Sequence, residues 1–75
     1  MNNNRRKRIQ NVIEQLNTCS STLEDIKAEE DETREDIPEN LQGAETYCLS
    51  EECSDKIEDA ISGIQEVVSN LENIT

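Results

Sequence analysis

From residue 9 the apolar positions run Ile9, Val12, Ile13, Leu16, Cys19, Leu23 and Ile26. Their spacing alternates between three and four, which places the side chains on one helical face. Written as heptads, Ile9, Leu16 and Leu23 take one seam position, and Val12, Cys19 and Ile26 take the other. Asn3 or Asn4 suits the N-cap, where a side-chain oxygen accepts from a free backbone N–H. The apolar stripe fades in the charged run Lys27 to Asp36, and the helix is expected over about 4–35. Pro38 lacks an amide hydrogen and disfavours helical geometry at Ile37, so the first helix stops near Asp36.

A connection over 36–49 follows. Pro38 to Gln42 reads as one short helical turn inside it, with Gly43 suited to a helix C-terminus. The second pattern runs Cys53, Ile57, Ala60, Ile61, Ile64, Val67, Val68, Leu71 and Ile74, again at spacings of three and four. It predicts a second helix over about 50–73. Ser50 is an attractive cap because Glu51 and Glu52 then sit at the positive end of the helix dipole. A start near Ala44 fits equally well. Gly63 flanks this seam, where a missing side chain lets a neighbouring helix approach.

Two amphipathic helices joined by a short connection fold back antiparallel, so the expected fold is an all-α two-helix hairpin forming a single domain. Folding back also brings the end of helix two, with Glu66 and Glu72, beside the basic cluster Arg5 to Arg8. A lone pair of helices cannot bury both stripes fully, and the hairpin is expected to dimerise into a four-helix bundle. The simple hairpin register sets Cys19 opposite residues near Ala60.

Composition narrows the chemistry. The chain has 75 residues, 33% of them charged, with a formal net charge of −11. Tyr47 is the one aromatic residue, so the core is built from Ile, Leu, Val, Ala and Cys. Tyr47 suits either an interface anchor or a cap on the hairpin core. No signal-peptide pattern and no apolar stretch of the roughly 20 residues needed to span a bilayer is present. The odd number of cysteines, Cys19, Cys48 and Cys53, fits a secreted disulfide framework poorly, and a cytoplasmic location is expected. Cys19 and Cys53 fall on the apolar faces and read as small hydrophobes.

The sequence offers nothing for catalysis. It contains no His, so no Ser–His or Cys–His pair can form, and its only glycines are Gly43 and Gly63. Zinc wants four Cys or His ligands, which the chain lacks. The run Glu29-Glu30-Asp31-Glu32 has no central Gly for a calcium loop. No cofactor or metal is expected. Four basic residues at the N-terminus with no aromatics beside them, on a chain of this net charge, give no footprint for direct nucleic-acid binding.

The acid is unevenly placed. Residues 24–59 carry fifteen Asp or Glu against Lys27, Arg34 and Lys56, a net of −12. Over about 25 Å of helix length that approaches the charge density of duplex DNA, about one per 1.7 Å. The expected activity is therefore protein binding through an acidic face, to a basic surface of the kind that holds nucleic acid. The residues expected to carry it are Glu29, Glu30, Asp31, Glu32, Glu35, Asp36 and Glu39. The alternative is a structural or assembly subunit whose apolar helix faces are themselves the interface.

The order of segments resembles small acidic helical-hairpin proteins of bacteriophages and mobile elements in Gram-positive bacteria. The resemblance rests on a basic N-terminus on an amphipathic helix, an acidic run, the segment Ile37-Pro38-Glu39-Asn40-Leu41-Gln42 and an acidic second helix. Tyr47, Cys48 and Cys53 depart from it. It implies a hairpin of mobile-element origin and an antidefence role against a host protein, and it supplies no functional residues.

Overall fold

A computed structural model describes every residue except Gln42. Helix α1 spans Asn3–Glu35, a 3-10 turn spans Glu39–Leu41, and helix α2 spans Glu45–Glu72. Among the described residues there is no strand. The two helices pack antiparallel along most of their length, giving an all-α hairpin with extents of 60 × 15 × 12 Å.

Local chemistry sets the ends of each helix. Asn2, one position before the expected caps, takes extended geometry, and its Oδ1 accepts from the Arg5 backbone N–H at 2.8 Å. At the far end the Ile37 N–H bonds the Arg34 carbonyl at 3.1 Å, the tightened last turn of a helix halted by Pro38. The Pro38 carbonyl then accepts from Leu41 N–H at 2.8 Å, which closes the short turn. The expected turn included Gln42, which lies outside the described residues. Helix α2 begins at Glu45 with Ala44 as its extended N-cap. That is the earlier of the two starts the sequence allows, and it places Ser50 inside the helix. Ala44 has no side chain to cap with, and Glu45 supplies the acid in the first turn.

The seam differs in phase from the sequence expectation. On α1 the side chains turned toward α2 are Ile9, Ile13, Leu16, Ser20, Leu23, Lys27, Glu30 and Arg34. On α2 they are Tyr47, Ser50, Ser54, Ile57, Ile61, Ile64, Val68 and Leu71. Both series alternate strictly between spacings of three and four, as in a coiled coil. Ile9, Leu16 and Leu23 hold the expected seam. Val12, Cys19 and Ile26 do not, and Ile13, Ser20 and Lys27 stand in their place. The physical reason is the closed end. Glu30 continues the shared Ile9, Leu16 and Leu23 row, whereas this phase alone turns Arg34 inward, where it bonds Ser50 and Ser54 across the seam.

The core is thin. Ile13, Ile61 and Val68 are the buried hydrophobic residues among those described, together with the small polar Ser20 and Ser54. The apolar part of the seam occupies the open half, where Ile9 to Leu23 meet Ile61 to Leu71. Asp31 bonds Ser54 across the seam, and Arg34 bonds Ser50 and Ser54. Averaged over these bonds and the Ser50 to Glu30 bond, Cys19 lies level with about Gln65, a little over one turn from Ala60. By the same count Ile9 is level with the C-terminal Thr75, and Arg5 to Arg8 project beyond the end of α2. By this count the basic cluster begins about one turn beyond the level of Glu72, and no ion pair joins it to Glu66 or Glu72 among the described residues. Among the described residues the ion pairs are Lys27–Asp31 and Arg34–Asp31 only.

Candidate interaction surface

At the closed end, polar residues take over the seam from apolar ones. Arg34 Nη1 donates to Ser54 Oγ at 3.0 Å and to Ser50 Oγ at 3.3 Å, while Nη2 donates to Asp31 Oδ1 at 2.8 Å. Each serine hydroxyl passes the chain on: Ser54 donates to Asp31 at 2.6 Å and Ser50 to Glu30 at 2.7 Å. Lys27 Nζ donates to the other Asp31 oxygen at 3.0 Å. The Arg34 guanidinium also lies 5.9 Å from the centre of the Tyr47 ring, within cation–π range. Tyr47 thus caps the closed end of the hairpin. These bonds place Asp31 among donors, and the Ser54 hydroxyl first, then Lys27, lower its carboxyl from the usual 3.8 to about 2. The same bond holds Lys27 above its ordinary value. The network fixes the register of the two helices.

The seven acidic residues singled out from the sequence do not share one face. Glu30 and Asp31 are half-buried and engaged in the network. Glu29, Glu32, Glu35, Asp36 and Glu39 are exposed. At 100° per residue, Glu29 and Asp36 lie on one side of α1, Glu35 on the other and Glu32 along the outer ridge. The acid therefore forms a girdle around the closed half.

Heptad positions sort the remaining surface. With Ile13, Ser20, Lys27 and Arg34 at a, and Tyr47, Ser54, Ile61 and Val68 at a on α2, the g rows carry Val12, Cys19, Ile26 and Cys53, Ala60, Val67, Ile74 as their apolar members, with Arg5, Thr33 and Thr46 at the remaining g positions. Two antiparallel helices are related by an axis normal to their common plane, which leaves each flank on its own side. Both g rows therefore border the same flank, and both e rows border the opposite one. All seven apolar g-row residues are exposed, Val12 at 43%, Ile26 at 44% and Val67 at 45%. Leu49, half exposed, widens this flank at a c position.

The opposite flank is acidic, with Glu24, Asp31, Glu51, Glu58 and Glu72 at e. The outer ridges carry Asp25, Glu32, Glu45, Glu52, Asp59 and Glu66 at f. The g rows contain no acid at all. The hairpin thus has an apolar flank and an acidic one, a division hidden when the stripe was read as a single seam. Strict seven-residue spacing of Val12, Cys19 and Ile26 beside an equally regular Ile13, Ser20, Lys27 and Arg34 was the available signal.

Cys19, Cys48 and Cys53 are free thiols, all exposed. Cys19 and Cys53 belong to the g rows of the apolar flank, and Cys19 thus leaves the seam position of the heptad reading because Ser20 occupies the adjacent inward position. Among the described residues no group of Cys, Asp and Glu converges in a way that could hold a metal ion. No helix is long and apolar enough to cross a membrane. No known protein family, curated protein or solved structure matches the chain.

Proposed function

We propose that this protein is a non-enzymatic binding module whose acidic closed half occupies the basic groove of a nucleic-acid-binding protein, in the manner of a duplex decoy. The observation that carries the reading is charge density. Residues 24–59 hold fifteen carboxylates against three basic side chains, and Lys27 and Arg34 are both already engaged by Asp31. The remaining acids ring the closed half on the e flank and the outer ridges, so a basic groove meets negative charge from most directions of approach. An antidefence role, acting on a host protein after expression from a bacteriophage or mobile element, is the biological setting that the sequence resemblance suggests.

The test is capture by the tagged protein from bacterial lysate, with and without competing duplex DNA. A specific bound protein that DNA displaces is the expected outcome. A bound protein indifferent to DNA removes the decoy reading. Neutralising Glu29, Glu32, Glu35, Asp36 and Glu39 together, with Glu30 and Asp31 left in place to hold the fold, should weaken capture and flatten its salt dependence.

A second reading is favoured by the apolar flank: self-association, with the g rows as the interface. An acid-free row of seven exposed residues on a chain this acidic is the specific observation behind it. Light scattering at tens of micromolar checks it, and a monomeric mass with full helicity removes it.

A further inference from the structure

The self-association reading says that the apolar flank is covered by a second copy. The geometry points further, to one arrangement of that copy: antiparallel, with the open end of each hairpin lying over the closed end of the other. This inference rests on the self-association reading and adds the orientation, the position of the symmetry axis and the residues that set both.

Area comes first. A compact monomer of 8.5 kDa is expected to expose about 4,700 Å². The hairpin exposes 5693 Å², an excess of about 1,000 Å². A standard interface removes about 800 Å² from each partner. The surplus is therefore of the size that one dimer contact would cover.

Charge chooses the orientation. With closed ends together, two segments of net −12 would face each other. With closed ends apart, the overhanging basic turn of one copy meets the acid of the other. Arg5 is at a g position and Arg8 at c, so both lie on the apolar flank. At the other end of that flank Glu29 and Asp36 occupy c positions. The overhang lies along a shallow groove bordered by Met1, Arg5, Arg8, Ile9, Val12 and Gln15. Neither arginine is in an ion pair within its own chain among the described residues.

The register follows from the rows themselves. The α1 row, Val12 to Ile26, is centred on Cys19. The α2 row, Cys53 to Ile74, is centred between Gly63 and Ile64. Cys19 lies level with about Gln65 in the hairpin, so the two centres differ by only about 3 Å along the axis. One two-fold axis passes through both. It stacks α1 antiparallel on its copy and α2 antiparallel on its copy, so every neighbouring pair in the four-helix bundle is antiparallel. In this register Arg5 and Arg8 reach the levels of Thr33 and Glu30, beside Glu29 and Asp36. Gly63 has nothing within 4 Å of the place a Cβ would take, and it leaves room near the axis for the approaching α2.

Cys19 then sits near its own copy, whereas Cys53 lies about 34 Å from its copy. In the parallel alternative each thiol sits at the same level as its copy. The experiment uses two full-length variants, one keeping only Cys19 (Cys48→Ser with Cys53→Ser) and one keeping only Cys53 (Cys19→Ser with Cys48→Ser). Each is treated with a short bismaleimide at a concentration where light scattering reads a dimer.

Covalent dimer from the Cys19-only chain, at least tenfold faster than from the Cys53-only chain, is the expected result. Comparable cross-linking of both chains means parallel packing and overturns the inference. Cross-linking of neither, at dimeric mass, places the interface elsewhere and overturns it too. A monomeric mass throughout means that self-association itself has failed, which is a distinguishable outcome. Independently, Arg5→Glu with Arg8→Glu should weaken the dimer tenfold or more with helicity unchanged. An unaltered dimer affinity removes the charge argument.

Discussion

The phase of the seam makes a sharp demand on two neighbouring turns of α2. Ile61 is only 3% exposed and faces α1, while Val67, six residues later, is 45% exposed on the apolar flank. Ile61→Ala deletes three buried carbons, at about 0.8 kcal/mol each, a loss of about 2.4 kcal/mol. Alanine's higher helix propensity returns about 0.4 kcal/mol. The seam is open at both flanks, so the helices close much of the space and little cavity cost is added. The net loss is about 2 kcal/mol.

Val67→Ala removes two carbons that are already half in water, a loss of about 0.9 kcal/mol, and propensity returns about half of it. A 75-residue domain shifts its Tm by about 4–8 °C per kcal/mol. Thermal melting followed by circular dichroism at low micromolar concentration should lower Tm by about 8–16 °C for Ile61→Ala and by about 3 °C or less for Val67→Ala. Equal shifts, or a larger one for Val67→Ala, would refute the phase. At high concentration the Val67→Ala deficit should grow if a second copy covers that flank.

Three further outcomes follow from the termini, the closed end and the glycine. Asp31 is held near 2 when folded, so its ionised form stabilises the hairpin at all pH values above about 4, and that contribution disappears as pH falls through 2. The Tm difference between wild type and Asp31→Asn should therefore shrink between pH 4 and pH 2, and a difference constant over that window would contradict the hydrogen bonds assigned to Asp31. Gly63→Ala should stabilise the isolated hairpin by about 1 kcal/mol, since the added Cβ meets nothing within 4 Å; urea titration at low concentration reads this directly. Asn2→Ala removes the side-chain cap on Arg5 N–H and should cost about 1 kcal/mol, seen as faster amide exchange confined to the first turn of α1.

The helices themselves were legible because apolar spacings of three and four persist for several turns in both segments, and Pro38 marks the break. The seam was only half legible. Between residues 9 and 26, two apolar rows run side by side on α1, and periodicity alone cannot say which one faces inward. The deciding residues are polar: Lys27 and Arg34 on α1, Ser50 and Ser54 on α2. A charged stretch reads as a solvated face, and its pairing with two serines appears only once the helices are folded together. The start of α2 was ambiguous for a related reason. Ser50 has the chemistry of a cap, yet Glu30 and Arg34 engage its hydroxyl across the seam, and the less distinctive Ala44 takes the terminus. The seven acidic residues were found as a sequence cluster, but a contiguous run on a helix distributes itself around the axis. Only the folded register tells Glu30 and Asp31, which are engaged internally, from the five that face water.

The acidic and apolar surfaces occupy opposite flanks, and that separation makes the two functional readings compatible. In the proposed antiparallel dimer Arg5 and Arg8 would neutralise only Glu29 and Asp36, which lie on the flank it would cover. The e rows and outer ridges, where most of the acid resides, stay in water. The two closed halves would then point to opposite poles of one rod, each presenting its own girdle of carboxylates. Such a particle can engage two copies of a basic partner, or one partner with two basic grooves, and the second engagement would gain from the first through effective concentration. A parallel dimer on the same flank would set the two acidic ends side by side and lose both the charge balance and the opposed placement of the two girdles. In the proposed dimer the arginine pair would therefore set where the two acidic ends lie, at opposite poles or side by side, while the e rows and outer ridges stay exposed in either arrangement. Arg5→Glu with Arg8→Glu should then weaken binding of a two-grooved partner far more than binding of a single groove, even though neither arginine would touch that partner.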